Sequence, residues 1–217
     1  MAKEGITLSR RKIGQILRKY GLESKHGRKR LFKNQYTMKS NEERYIAENL
    51  LKNIKITKPN EVVCMDTSEL KYRDGKLYIS AAIDAYSKQV VYCISDKDNT
   101  ELATETIKLA LNKLGRFEII HTDRALVYSA NATKQLLETN EVERSMSRPY
   151  KPVDNAYIES FFKTLKVEIG RTTNFTKEQL LGILRGYINY YNKKRIHSSL
   201  GYLTPFEFTK EAMKKVA

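Results

Sequence analysis

No tryptophan occurs in this chain, and cysteine and histidine are scarce: two of the first and three of the second in 217 residues. Cys64 and Cys93 each fall inside a strand-like run and form no CxxC pair. That excludes a zinc knuckle or redox dithiol and reads as two buried, reduced thiols of a cytoplasmic protein. With so little histidine, a chemistry that needs neither imidazole nor thiolate suits the chain best. No stretch approaches the ~18 unbroken apolar residues of a membrane span. The opening "MAKEGITLSRRKIGQ" also lacks the apolar segment of a secretory signal. The expectation is a cytoplasmic protein with no membrane partner.

What is abundant is positive charge. Forty Lys and Arg face 25 Asp and Glu, a formal net charge of +15, in a chain that is 41% hydrophobic and has a folded protein's composition. Residues 1–60 hold 16 of the basic side chains against five Glu. A basic arm on a nearly neutral globule favours a polyanion, nucleic acid first. "TLSRRKIGQILRKYGLE" predicts a helix capped at Thr7 or Ser9 and stopped at Gly21, with Arg10, Arg11 and Lys12 on its polar side. "KHGRKRLFKNQY" follows with Arg28, Lys29 and Arg30 among aromatics. A solvated basic helix would share this composition. The second basic cluster favours DNA, with residues 1–40 as part of a helix-turn-helix. Residues 41–60 read as a short amphipathic helix (41–56) and a linker.

From residue 61 the period changes. "EVVCMDTSELKY", "LYISAAIDAYS" and "KQVVYCIS" read as three strands, the first two joined by an Asp74-Gly75 turn. A helix with an Asp98/Glu101 capping box and a Gly115 end follows. Then come the strand "RFEIIH", the helix "SANATKQLLETN", the short strand "VERSM", the loop "SRPYKP", a helix capped by Asp154, and a long helix opened by Thr176 and Gln179. This order predicts an α/β fold: a mixed five-stranded sheet flanked by helices, in the ribonuclease-H-like arrangement. The core spans 61–172 and a helical extension 173–217.

Three acids fall at element ends that such a fold brings together. Asp66 lies towards the end of the first strand, Asp123 just after the fourth, and Glu159 in the first turns of the next helix. Fifty-six residues separate the first two and 35 the last two. A lone Asp is more often a turn or cap residue, and a lone Glu on a helix is more often surface charge. Asp84 and Asp154 are read that way, as a strand-end hydrogen-bonder and an N-cap. Hard divalent cations take oxygen ligands and keep several waters, so two or three carboxylates suffice. Two such ions can activate an oxygen nucleophile and stabilise the leaving oxygen.

"VVCMDTSEL", "IIHTDRALVYS", "SMSRPYKPVDNAYIESFFKTLKVE" and "INYYNKKRIHSSLGYLTPFEF" resemble the catalytic part (OrfB) of bacterial insertion-sequence transposases of the IS-three family, whose core is similar to retroviral integrases. The resemblance runs from about residue 5 to residue 210. It implies that Asp66, Asp123 and Glu159 are the catalytic, metal-binding acids, with two Mg²⁺ or Mn²⁺ ions per site. It implies cleavage of element ends, joining of the freed 3′-hydroxyl to another phosphodiester, and a homo-oligomer on double-stranded DNA, both terminal repeats and target. Lys163 and Lys166, four and seven residues after Glu159, share its helix face and would meet DNA phosphates. Arg195 and His197 would sit near the DNA. Against the family pattern, the chain lacks a tryptophan near Val63 and has Ala125-Leu126-Val127 where glycine and small polar residues are usual. By the same comparison it is expected to begin partway into the family's second helical DNA-binding segment. A structure-specific nuclease of the same fold, or a DNA-binding remnant without turnover, would share most of these features.

Overall fold

The computed structural model describes residues 9–22, 47–149 and 152–216. The chain divides into two compact units, Met1–Lys39 and Ser40–Ala217.

Within the first unit, α1 spans Arg10–Lys19. Ser9 caps it: the Lys12 N–H donates to Ser9 Oγ at 3.3 Å. The helix stops at Gly21, which takes φ +65°, and the Leu22 N–H reaches back to the Leu17 carbonyl. This left-handed closure suits glycine. Arg11 and Lys12 are exposed on α1. Thr7, Arg28, Lys29 and Arg30 lie outside the described residues, as does the first part of the helix expected over 41–56. Its described part is only a 3₁₀ turn at Leu50–Asn53.

The second unit is built on five strands: β1 (Val62–Tyr72), β2 (Gly75–Asp84), β3 (Val90–Ser95), β4 (Ile119–Thr122) and β5 (Glu143–Met146). Their order is β3-β2-β1-β4-β5. The first three pair antiparallel, and β1-β4 and β4-β5 pair parallel. The helices are α2 (Thr100–Lys113), α3 (Leu126–Ser129), α4 (Asn131–Thr139), α5 (Ala156–Ile169), α6 (Lys177–Lys193) and α7 (Pro205–Val216).

Side-chain alternation along β1 divides the core. Val62 and Cys64 face Ile158, Phe161 and Leu165 of α5 and Leu180, Leu184 and Tyr191 of α6. Val63 and Met65 face Ala103 and Ile107 of α2 and Leu137 of α4. A central strand buried on both faces reads as a continuous apolar run, as "VVCM" does. From α6, Leu180, Leu184 and Tyr191 help close the Val62 and Cys64 face of the sheet.

Several local expectations shift by one residue. The β1-β2 turn is Arg73-Asp74, and Gly75 opens β2 opposite Tyr72. A Cβ at Gly75 would stand 2.8 Å from the Tyr72 hydroxyl, so the ring covers the glycine. Asn99, not Asp98, caps α2, accepting from the Leu102 N–H at 3.0 Å. Asp154 does not cap α5. It lies in a 3₁₀ turn (Pro152–Asn155) and accepts from the Arg148 N–H and guanidinium, each at 2.9 Å. Asp84 is a strand-end acceptor, taking the Ser87 N–H at 2.9 Å and the Asn60 N–H at 3.2 Å. Thr176 and Gln179 form the expected capping box of α6. Cys64 is buried, whereas Cys93 is half-buried.

Candidate active site

Register brings the first two acids together. In the parallel β1-β4 pair, Val62 lies opposite Ile119 and Cys64 opposite His121. Asp66 and Asp123 each follow the last of these pairs by two residues, so both strands bring an acid to the same end of the sheet. Alternation puts Asp66 on the face of Val62 and Cys64, the face covered by α5, and Glu159 stands in the first turn of α5. The Asp66 carboxyl is pushed up to about 7, first by burial and then by Asp123. The Thr67 N–H bond opposes this, and Glu159 and Asp98 add to it. Burial also raises Asp123, against the bond from the Ala125 N–H, with a contribution from Asp98. The buried part of Glu159 raises its carboxyl too.

Asp66 Oδ1 accepts from the Thr67 N–H at 2.8 Å, and Asp123 Oδ1 from the Ala125 N–H at 2.9 Å. Both carboxylates are thus turned partly onto their own backbones. Among the described residues, no three His, Cys, Asp or Glu side chains close round a metal ion. The donor set nonetheless fits a hard divalent cation: it is all oxygen, and Asp123 and Glu159 both disfavour charge on Asp66. A cation would relieve that conflict.

Similarity to known proteins decides the family. An integrase core domain model matches residues 56–152, and a second integrase core domain model matches 140–205. The chain is 32% identical, over 97% of each chain, to an uncharacterized transposase-like protein of Haemophilus influenzae. It is 32% identical to the transposase of insertion sequence element IS904 of Lactococcus lactis, over 95% of this chain and 82% of that one. The chain belongs to the insertion-sequence transposases. It is also 32% identical to the putative transposase InsK of Escherichia coli IS150, over 73% of this chain and 58% of that protein's length. The fold is that of retroviral integrase cores. A chain of a simian T-cell lymphotropic virus intasome has TM-score 0.63 and 17% identity, covering 78% of the transposase and 60% of that chain. The HTLV-2 integrase catalytic core domain, solved in complex with magnesium, has TM-score 0.54 and 14% identity, covering 70% and 97%.

Other residues of the transposase surround the acids without having been singled out. Asp98, just before α2, raises Asp66 and Asp123, and burial raises its own carboxyl. Its place in a cap-like motif hid it. Tyr128 is buried, its hydroxyl 3.3 Å from the Oγ1 of Thr67, the residue after Asp66. The Ala125-Leu126-Val127 segment holds Asp123 through a backbone N–H, which any residue but proline would supply, and its Leu126 opens α3, which carries Tyr128. Asn155, buried one turn before Glu159, donates from Nδ2 to the Met65 carbonyl at 3.4 Å.

The basic residues separate into two groups. Lys163 is exposed on α5. Lys166 is also exposed on α5; crowding by protein lowers its ammonium, while Asp66 and Glu69 pull it up. Arg195 and His197 are half-buried and make contacts within the fold. The Arg195 guanidinium binds Glu168 at 2.9 to 3.2 Å, and the Tyr187 hydroxyl donates to the same carboxylate at 3.1 Å. The His197 ring stands edge-on to Tyr191 with centroids 4.8 Å apart. Burial, then Arg195, lower it to about 4, so it is neutral at pH 7 and brings no charge to a phosphate.

Proposed function

We propose that this transposase cuts DNA at insertion-element ends and joins the freed 3′-hydroxyl to another phosphodiester, with Asp66, Asp123 and Glu159 as the metal-holding catalytic acids. The observation that supports the reading is that Asp66 and Asp123 each follow the last β1-β4 pair by two residues, while Glu159 stands in the first turn of α5. In the first step, water oxygen bonds to phosphorus as the bond from phosphorus to the 3′ oxygen breaks, leaving a 3′-hydroxyl and a 5′-phosphate. In the second, that 3′-hydroxyl attacks another phosphodiester and displaces its 3′ oxygen. Divalent ions, Mg²⁺ or Mn²⁺ and two per site, would polarise the nucleophile and neutralise the leaving oxygen.

The acids hold oxygen-seeking cations and fix where phosphorus can sit. Lys166 and Lys163, along α5, meet the phosphates beside that point. Arg11 and Lys12 of α1, with the basic cluster at Arg28, Lys29 and Arg30, add sequence-independent affinity. Domain limits follow the same reading: a DNA-binding segment over 1–40, a connector over 41–60, a catalytic core over 61–172 and a helical extension over 173–217. The working form is a homo-oligomer holding double-stranded element ends and target DNA in the bacterial cytoplasm.

The deciding experiment is incubation of the chain with labelled element-end DNA and Mg²⁺ or Mn²⁺, resolved on a denaturing gel. Nicked and strand-joined products that vanish with a chelator are expected. Cleavage without joining would turn the reading to a nuclease, and DNA binding without any cleavage to an inactive remnant.

A further inference from the structure

Asn155 holds an N-cap position yet does not cap: its side chain makes no bond to the first turn of α5. The residue is only 4% exposed. Its Nδ2 faces the carbonyl of Met65, the residue before Asp66. A carbonyl can only accept, so the amide orientation is fixed by that contact and Oδ1 must point the other way. Among the described residues, Oδ1 is buried without a hydrogen-bond partner. A buried, unsatisfied amide oxygen costs stability, and a helix start offers ready ways to avoid it, such as a serine or aspartate that caps. Here the oxygen is kept, anchored to the strand of Asp66 and one helical turn before Glu159.

An amide oxygen seeks a donor, and acids ionised around a cation would offer none. The hydroxyl of an attacking nucleophile does. We propose that Asn155 Oδ1 accepts a hydrogen bond from the attacking O–H, water in cleavage and the 3′-hydroxyl in joining, and so aims it at phosphorus. The inference rests on the phosphodiester chemistry proposed above. It divides the side chain in two: Nδ2 tethers the start of α5 to β1, and Oδ1 orients the nucleophile.

Two substitutions in the full chain separate these halves. Asn155→Ala removes both, whereas Asn155→Asp removes the donor to Met65 and keeps an oxygen. Cleavage of end DNA with Mn²⁺ should part them, Asn155→Ala losing about 10- to 100-fold and Asn155→Asp retaining most of the wild-type rate. With glycerol added as a competing nucleophile, the ratio of glycerol ester to hydrolysis product should shift in Asn155→Ala, a readout that a merely structural role would not move. Equal loss of cleavage in the two variants, or an unchanged product ratio, would overturn the inference alone. A wild-type chain that binds end DNA but never cuts it would overturn the proposed function, and this inference with it.

Discussion

The two ends of α5 treat their glutamates in opposite ways. Glu168, in the last turn, is gripped by Arg195 and Tyr187, so its charge is answered within the fold. Glu159, in the first turn, faces Asp66, and with Asp123 and Asp98 it makes that carboxyl harder to ionise. One end resembles an ordinary structural ion pair. The other concentrates like charges at the cost of stability, which is how sites that await a cation or substrate differ from scaffolding.

The strongest test of the contrast is to neutralise the crowded end. Asp66→Asn, Asp123→Asn or Glu159→Gln should each reduce cleavage about a thousandfold or more, near 4 kcal/mol of transition-state stabilisation. Melting temperature should hold or rise, because repulsion is removed. Near-normal cleavage by Glu159→Gln, with loss in Asp154→Asn, would move the site to another carboxylate.

At the other end, Arg195→Ala leaves Glu168 partly buried and unanswered by its cation. The side chains are 22% and 25% exposed, between surface and buried pairs. A loss of about 2 kcal/mol is expected, or about 4–8 °C in melting temperature. The metal requirement of cleavage should not change. An unaltered melting curve would show that the clamp contributes nothing.

The smallest effect is a slope. Asp66 rises from 3.8 to about 7 on folding, so the folded chain keeps a proton that the unfolded chain releases. Its contribution is therefore present below pH 3.8 and is lost as pH rises towards 7. Asp154 is depressed, chiefly by its bond to Arg148, so its contribution is present above pH 3.8 and is lost as pH falls below it. Denaturant titrations of metal-free protein between pH 4 and 7 should show stability declining, with the decline flattened in Asp66→Asn. A wild-type slope identical to that variant's would remove Asp66 as its source.

How much of this was legible depended on the range of the interaction. Alternation in "VVCM", the Thr176/Gln179 box and the closure at Gly21 are local patterns, and each appears in the fold. Asp66, Asp123 and Glu159 could be grouped because strand order implied their proximity. Asp98 could not, since a cap motif already explained it, and the neighbouring Asn99 took that role. The bond of Arg195 to Glu168 gave no local signal, because the two stand 27 residues apart, across a turn and a helix. Asn155 offered no signal beyond its type. Its meaning lies in a carbonyl 90 residues away.

The late position of α6 also sets a schedule for synthesis. β1, β2 and β3 are finished at Ser95, but α6, whose Leu184 and Tyr191 cover one face of those strands, ends at Lys193. At bacterial elongation rates that gap lasts roughly 5 to 20 s. Throughout it, the nascent chain carries a greasy surface whose lid has not yet been translated.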